Sequence, residues 1–276
     1  MKRLEGRTAV VTGAGGGIGR AVADRLARAG CHLALCDRNE AALAETAEAV
    51  QALGRRASQH VTDVSKRASM EALVDEVLSF HGGVHVLVNN AGVTVISSFE
   101  TQSLDDFEWL MGVNFWGVVH GCKLFLPALL AADEAHIVNM SSVFGILGVP
   151  MQSAYCASKF AVRGLSESLR AELSSTKVGV TSMHPAGVAT NIVRDARYSA
   201  TAGGGMKAGL VDRFARKMMP PEMIADRILL AIRKNQPRVL VARGAGAIDA
   251  LQRTSPLLGS RVVARVWKRM QARGER

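Results

Sequence analysis

Short runs of apolar and β-branched residues alternate along the chain with longer segments in which apolar residues recur every three or four positions. The short runs predict buried strands, and the longer segments predict amphipathic helices. Seven strands are predicted, at residues 8–12, 32–37, 58–62, 84–89, 136–141, 178–184 and 238–241. Because strands that alternate with helices are joined by right-handed crossovers, the pattern predicts an α/β fold, a doubly wound parallel sheet of about seven strands with helices on both faces.

The segment 39–53 illustrates the helix signals. It begins with a favourable N-cap, Asn39, and ends before Gly54. Its apolar residues at helical spacing predict one buried face: Leu43, Ala47 and Val50. The segment is therefore predicted as a helix packed on the sheet.

The alternation continues without a repeat or a low-complexity linker to about residue 190, so we expect one domain over residues 1–276. Residues 191–220 differ, because they contain a run of three glycines and apolar residues without strand or helix punctuation. They are predicted to form a substrate lid, either a mobile loop or a pair of short helices. Its apolar residues are Met206, Leu210, Val211, Phe214, Met218 and Met219.

The formal net charge of +10 lies mainly in the tail. Residues 243–276 carry eight Arg and Lys against two acids, a net of +6, which leaves +4 for the first 242 residues. The tail offers only Trp267 for base stacking, so no nucleic-acid partner is expected. Apolar residues at helical spacing among these cations predict a basic amphipathic extension: Val262, Val263, Val266, Trp267 and Met270.

Metal, disulfide and membrane-spanning classes are not favoured by the composition. The four cysteines and seven histidines do not fall at the spacings of metal ligands, and buried thiols in a reducing compartment are the simpler interpretation. No uninterrupted apolar run reaches the roughly 18–20 residues that cross a bilayer, and the first strand begins too early to follow a signal peptide. A cytoplasmic protein without a metal is therefore expected.

A glycine-rich turn joins the first predicted strand to the first helix. Glycines suit such a turn where the chain bends tightly, approaches a pyrophosphate, or packs helix against strand, and the helix N-terminus attracts phosphate. The strand before the turn and the apolar helix after it make this a Rossmann-type dinucleotide site. Its predicted cofactor contacts are Gly13, Gly15, Gly16, Gly17, Ile18 and Gly19.

The second strand ends at Asp37, about twenty residues beyond the turn. A carboxylate there accepts hydrogen bonds from the adenosine ribose and repels a 2′-phosphate, which favours NAD over NADP. Arg38 opposes this interpretation, because a guanidinium could pair with that phosphate and make NADP possible. Asp37 could also serve only as a turn or cap residue before the following helix.

Tyr155 and Lys159 lie one helical turn apart, so their side chains share a face. An ammonium group beside a phenol favours the phenolate and brings its pKa nearer to a useful range for acid–base catalysis. Taken alone, the pair is common and is more often structural.

Together these residues form a longer pattern that resembles the short-chain dehydrogenase/reductase family over about residues 5–190. The pattern consists of Thr12-Gly13-x-x-x-Gly17-x-Gly19, Asp63-Val64, Asn89-Asn90-Ala91-Gly92, Asn114, Ser141-Ser142, Tyr155-x-x-x-Lys159 and Pro185. The resemblance implies an enzyme that transfers hydride between a nicotinamide cofactor and a small-molecule alcohol or ketone.

The resemblance also implies a role for each matching residue. Ser142, rather than Ser141, would hydrogen-bond the substrate oxygen, while Tyr155 exchanges the proton. Lys159 would bind the nicotinamide ribose and lower the tyrosine pKa, and Asn114 would hold a water that links the lysine to solvent. The remaining cofactor contacts would be Asp63, Val64, Asn90, Ala91 and Gly92 on the adenosine side, and Pro185, Val188 and Thr190 on the nicotinamide side.

NAD(H) is the favoured cofactor because of Asp37. A lipophilic secondary alcohol or ketone is the favoured substrate, because apolar residues at 143–149 and in the lid adjoin the predicted site. These residues could equally just pack the lid. The alternatives are an NADP(H)-dependent ketone reductase and a dinucleotide-binding regulatory protein without turnover.

The resemblance further implies a homodimer or homotetramer, formed by the helices near residues 104–130 and 155–173. The tail at 243–276 has two interpretations: it covers the cleft or the subunit interface, or it makes peripheral contact with an anionic membrane.

Overall fold

The computed structural model describes residues 1, 3–190, 192, 194–198, 218–241 and 245–272. Its strands are β1 (Thr8–Thr12), β2 (His32–Asp37), β3 (Ala57–Val61), β4 (Val86–Asn89), β5 (Val95–Ile96), β6 (Ala135–Met140), β7 (Val178–Pro185), β8 (Arg197–Tyr198) and β9 (Arg238–Val241). Its helices are α1 (Gly17–Arg28), α2 (Glu40–Ala52), α3 (Arg67–His81), α4 (Leu104–Met111), α5 (Gly117–Ala131), α6 (Ser153–Glu172), α7 (Pro221–Lys234), α8 (Ala245–Thr254) and α9 (Pro256–Ala272).

The main sheet has seven parallel strands in the order β3-β2-β1-β4-β6-β7-β9. The predicted fold class is confirmed, and each of the seven predicted strands is present with its ends shifted by at most two residues. The chain winds outward in one direction from β1 to β3 and in the other direction from β4 to β9. A crevice therefore opens at the carboxyl ends of β1 and β4, where open α/β sheets bind ligands.

Apolar side chains cover both faces of the sheet because strand residues alternate between them. In β2, Leu33 and Leu35 pack on the face that carries α1, α2 and α7, whereas Ala34 and Cys36 pack on the face that carries α3, α5 and α6. The largest buried side chains on the second face include Phe125 of α5. This two-sided burial explains why the strands are apolar runs rather than alternating patterns.

Helix α2 forms where its sequence signals place it. The Asn39 side chain accepts a hydrogen bond from the Ala42 N–H at 3.1 Å, and Gly54 takes a φ of +73° just beyond the helix end. The side chains of Leu43, Ala47 and Val50 are buried, as predicted. Capping and periodicity thus fixed this element locally.

The stretch Leu104–Ala131 runs through α4, a π-helical turn (Gly112–Trp116) and α5. By length and composition alone it could cross a bilayer, since it has 28 residues and contains an 18-residue window with a mean hydropathy of 1.3. In the fold, however, its residues Val118, Phe125 and Leu129 are buried against the sheet. The apolar character of this stretch is therefore explained in part by core packing.

A buried polar cluster joins this helical layer to the sheet. Asn89 Nδ2 donates to Asn139 Oδ1 at 2.8 Å, and Asn139 Nδ2 donates to Ser166 Oγ at 3.0 Å. Gly121 of α5 lies against Asn89, since a Cβ at this position would stand 2.1 Å from Asn89 Oδ1. The glycine lets the helix approach a side chain that the cluster holds in place.

We expect Gly121→Ala to lower the free energy of unfolding by about 1–3 kcal/mol, because the added methyl group overpacks a site whose neighbour cannot rotate away. Urea unfolding followed by circular dichroism measures this change. Gly246→Ala is the matched control: Gly246 lies on α8, is exposed and has nothing within 4 Å of its Cβ position. That variant should be neutral or up to about 1 kcal/mol more stable. Equal stabilities for the two variants would contradict the packing argument.

Candidate active site

The glycine-rich turn is closely packed against the loop that follows β4. Gly13 has a φ of +67°, and a Cβ there would stand 2.9 Å from the Ala91 Cα. A Cβ on Gly19 would stand 1.9 Å from the Gly13 carbonyl oxygen. Any larger residue at these two positions would push β1, α1 and the β4 loop apart.

The N-terminus of α1 is open. Its N-cap is Gly16, which offers no capping side chain and has nothing within 4 Å of its Cβ position. Free N–H groups at a helix start attract phosphate, so this end of the helix fits the pyrophosphate of a dinucleotide. Ile18 lies in the first turn of the same helix and packs against the core.

Asp37 lies at the carboxyl end of β2 and contacts the turn directly. Its Oδ2 accepts from the Gly15 N–H at 2.9 Å, and its Oδ1 accepts from the Asn39 N–H at 3.1 Å. The carboxylate therefore braces the turn and the start of α2, as the cap interpretation expects, and it also lines the crevice. Arg38 lines the same crevice with an exposed side chain.

Four residues predicted to contact adenosine line the crevice: Asp63, Val64, Ala91 and Gly92. One Asp63 oxygen, Oδ1, is already engaged by the Ser65 N–H at 3.0 Å and the Ser65 hydroxyl at 2.7 Å. The acid thus closes the turn before α3 while it lines the crevice.

Asn90, predicted to line the crevice, instead points its side chain at the glycine-rich turn. Its Nδ2 donates to the Thr12 carbonyl oxygen at 2.9 Å and to that of Gly13 at 3.2 Å. The amide satisfies carbonyl groups that the tight turn leaves free, so its contribution here is to the shape of the turn.

Tyr155 and Lys159 project from the first turns of α6, and Ser142 follows β6. The Ser142 side chain lies beside the Tyr155 hydroxyl and lowers the tyrosine pKa, while its Oγ accepts from the Phe144 N–H at 3.1 Å. The ring of Phe144 packs edge-on against the tyrosine at 6.2 Å between centroids. Ser141, by contrast, donates its hydroxyl to the Lys159 carbonyl oxygen at 2.8 Å and is committed to the backbone of α6. The geometry brings Ser142, not Ser141, to the tyrosine.

Burial is the main cause of the pKa shifts of this pair. Burial raises the pKa of Tyr155 to about 12, and the hydrogen bond with Ser142 opposes this rise. Burial also lowers the pKa of Lys159 to about 8. The Lys159 Nζ lies 5.6 Å from the centre of the Tyr155 ring and donates to the Met140 carbonyl oxygen at 2.8 Å. With the ammonium held by that carbonyl, desolvation dominates. The expected effect of the lysine on the tyrosine pKa stays a prediction.

Asn114 lies in the π-helical turn and is fully buried. Its Oδ1 accepts from the Val93 N–H at 2.8 Å, and its Nδ2 donates to the Val93 carbonyl oxygen at 2.9 Å. The same amide nitrogen lies 3.3 Å from the Ser158 hydroxyl. The side chain therefore fixes the loop after β4 against α6, and its expected role of holding a water stays a prediction.

The loop after β7 closes the crevice from the other side. A Cβ on Gly17 would stand 2.9 Å from the Thr190 Cγ2, so the threonine lies directly over the start of α1. Pro185 and Val188 are buried. The Met219 N–H donates to the Gly187 carbonyl oxygen at 3.0 Å, and the Ala189 N–H donates to the Met219 carbonyl oxygen at 2.9 Å. The chain on either side of the predicted lid therefore meets beside Val188 and Thr190, the residues predicted to contact the nicotinamide.

Most of the predicted lid, including Met206, Leu210, Val211 and Phe214, lies outside the described residues. One piece that is described, β8, pairs in parallel with β5. The Arg197 guanidinium stacks on the Trp109 ring at 3.6 Å and lies 2.7 Å from Asp106 Oδ1. We call Arg197, Trp109 and Asp106 the lid clamp. The lid clamp could not be predicted from the sequence, because a two-residue strand and a cation–π pair from distant segments produce no periodic pattern.

A larger polar cleft of about 620 Å³ lies at the opposite end of the sheet. It is lined by Asp133, Arg170 and Lys177, among others, and it contains none of the predicted site residues. Ligands in open α/β sheets bind at the carboxyl ends of the strands, so this cleft is not the candidate active site. Within the described ranges, no group of three or more His, Cys, Asp or Glu side chains is arranged to hold a metal ion.

Comparison with known proteins agrees with this geometry. A family model described as short chain dehydrogenase matches residues 7–200. SadH of Mycobacterium tuberculosis is 41% identical over 268 residues, 96% of each protein. The structure of a short chain dehydrogenase/reductase from Burkholderia phymatum in complex with NAD matches with a TM-score of 0.87 and 34% identity over 94% of this chain and 96% of that chain. A metagenomic short-chain oxidoreductase in complex with NADP matches with a TM-score of 0.70 and 31% identity over 86% of this chain and 97% of that one. The chain therefore belongs to the short-chain dehydrogenase/reductase family of oxidoreductases.

Proposed function

We propose that this oxidoreductase transfers a hydride between NAD(H) and a lipophilic secondary alcohol or ketone. The observation that carries the proposal is the position of the Tyr155 hydroxyl beside Ser142, which follows the carboxyl end of β6. Lys159, one turn further along α6, borders the crevice, since its Nζ lies 3.7 Å from the Cβ position of Gly92. The N-terminus of α1, at the same end of the sheet, fits a dinucleotide. A cofactor in this crevice supplies or accepts the hydride when bound.

The protein's own part in the reaction is proton transfer and orientation. A phenol with a pKa of about 12 is protonated at neutral pH, which is the form that donates a proton to a carbonyl oxygen during reduction. Oxidation needs the phenolate, and hence positive charge beside the tyrosine oxygen. Lys159, with a pKa of about 8, is mostly protonated at pH 7 and is the residue suited to supply that charge. Ser142 orients the substrate oxygen between itself and the tyrosine.

The environment of the adenosine ribose supports NAD over NADP. The Asp37 carboxylate faces the crevice and would repel a 2′-phosphate. Arg20, the base nearest to the turn, is held by the Gly15 carbonyl oxygen at 2.8 Å and by Glu45 at 2.7 Å. The second candidate is an NADP(H)-dependent reductase. It is favoured by Arg38, whose exposed guanidinium lines the same crevice and could pair with a 2′-phosphate. The solved relatives include one bound to NAD and one bound to NADP.

Partly exposed apolar side chains around the tyrosine support a lipophilic substrate. Phe144 packs against Tyr155, and Leu147 and Val149 belong to the same segment before α6. None of the three is fully buried. A polar substrate would leave these side chains in contact with water, whereas an apolar one would cover them.

The whole chain fits one catalytic domain in a reducing compartment. The extension at 243–276 attaches to the main sheet through α8 against β9, and the described strand β8 of the predicted lid pairs with β5. All four cysteines are free and buried, as in cytosolic proteins. A non-catalytic dinucleotide-binding protein would use the same fold but would not need Ser142, Tyr155 and Lys159 together.

Self-association is proposed through the outer sides of α4, α5 and α6. Leu104 is 79% exposed, Trp116 is 52% exposed and Phe160 is 42% exposed. Large apolar side chains in such numbers on adjacent helices indicate a surface that another molecule covers. A second copy of the chain fits this surface, in a homodimer or homotetramer.

Tyr155→Phe should abolish turnover and leave NAD binding nearly intact, because it removes the one oxygen that exchanges the proton. Initial rates and NAD titration by fluorescence measure the two effects. Tyr198→Phe, the same change at the chain's other tyrosine, should retain activity. If Tyr155→Phe keeps activity within about tenfold of the parent, the proposed mechanism fails.

Asp37→Ala should shift the ratio of catalytic efficiencies from NAD toward NADP, since it removes the repelling carboxylate and leaves Arg38 to pair with the 2′-phosphate. Asp37→Asn is the matched control for the bracing role, because it removes the charge but keeps one acceptor oxygen near Gly15. Both variants should change the ratio. An unchanged ratio in both would show that Asp37 is only a cap.

The protein should elute as a dimer or tetramer at micromolar concentration, as measured by size-exclusion chromatography with light scattering. Trp116→Glu combined with Phe160→Glu should shift it toward the monomer, because two buried carboxylates would oppose the interface. The parent protein eluting as a monomer would contradict the proposed assembly.

A further inference from the structure

The C-terminal helices form a hairpin attached to the edge of the sheet. Asp249 of α8 pairs with Arg238 of β9 at 2.5 Å and with Arg253 at 3.2 Å. Helix α9 packs on α8 through Gly259, where a Cβ would stand 2.1 Å from Gln252 Nε2. The hairpin therefore holds α9 in a fixed orientation at the β9 edge.

The structure divides the predicted apolar face of α9. Val263 and Trp267 are half-buried, whereas Val262 and Val266 are 45% and 50% exposed. Leu258, four residues before Val262, is 45% exposed. Residues spaced by four share one side of a helix, so Leu258, Val262 and Val266 form an exposed apolar row. In the part of the chain that the structure describes, nothing covers this row.

Cations flank the apolar row. Arg265 and Arg269 are exposed and lie beside it by helical geometry, and Arg261 and Lys268 follow on the adjoining side. The helix Pro256–Ala272 contains four basic residues and no acidic one. Apolar side chains bordered by long basic ones match the boundary of an anionic bilayer, where the aliphatic groups enter the interface and the guanidinium groups reach the phosphates.

We propose that α9 docks the enzyme on an anionic lipid bilayer, with the apolar row in the interface and Arg265 and Arg269 at the headgroups. A second copy of this helix fits the surface poorly, because it would bring four cations against four. Nucleic acid would satisfy the cations but leave the aliphatic row unused, since stacking requires aromatic side chains. The proposal concerns a surface remote from the predicted catalytic residues, so it stands or fails separately from the proposed reaction.

The test is flotation of the full chain with vesicles of pure phosphatidylcholine and with vesicles containing phosphatidylserine, at low salt. We expect binding to the anionic vesicles only. Arg265→Gln combined with Arg269→Gln should weaken that binding by about tenfold or more, because each cation near the surface contributes about a fivefold effect. Val262→Asn combined with Val266→Asn should weaken it comparably, because it removes the inserted row.

Arg56→Gln combined with Lys177→Gln removes the same charge from exposed positions elsewhere and should leave binding within about twofold. All variants should keep parental turnover with a soluble alcohol. The proposal is overturned if neither vesicle binds the chain, if both tail variants bind like the parent, or if only the charge variant loses binding, which would indicate a purely electrostatic contact. It is also overturned if the Val262/Val266 variant dissociates an oligomer, since the row would then face a second copy.

Discussion

The side chain of Thr12 holds together the point from which the sheet winds in both directions. Its hydroxyl oxygen accepts from the Asn90 N–H at 3.0 Å and from the Ala91 N–H at 3.1 Å, and Asn90 returns its own amide to the Thr12 carbonyl. These bonds join the end of β1 to the end of β4, the two neighbouring strands from which the chain winds in opposite directions. The glycine-rich turn, the start of α1 and the predicted adenosine side of the crevice all adjoin this junction.

The parts of the fold that depend on local chemistry could be predicted from the sequence. A few neighbouring residues are enough to predict each of these elements: the Asn39 cap and the glycine after α2 delimit a helix, and the apolar runs mark the seven strands. The site was predictable only as a set of residue types, because their order along the chain matches a known family. The directions in which the site side chains point could not be predicted. Asn90 donates to the backbone of the turn and Lys159 donates to the Met140 carbonyl, because only the folded chain brings these carbonyl groups near.

Burial sets the chemistry of the Tyr155–Lys159 pair more than proximity does. Both side chains are displaced from their ordinary pKa values in the direction that favours their neutral forms. Helical periodicity indicates only that the two side chains share a face. How much water the sheet and the loop after β6 exclude depends on the folded chain. The acid–base properties of the site therefore arise from tertiary packing, and they will respond to whatever fills the crevice.

The lid clamp joins segments that are far apart in sequence. Trp109 packs in the same small apolar cluster as Tyr155, and Arg197 covers its outer face while pairing with Asp106. Loss of the Trp109 indole would remove the cation–π contact of the Arg197 guanidinium, and loss of the guanidinium would expose the indole to water. Selection at these positions consequently acts on the three residues jointly, so homologues should exchange them as a set and seldom one at a time.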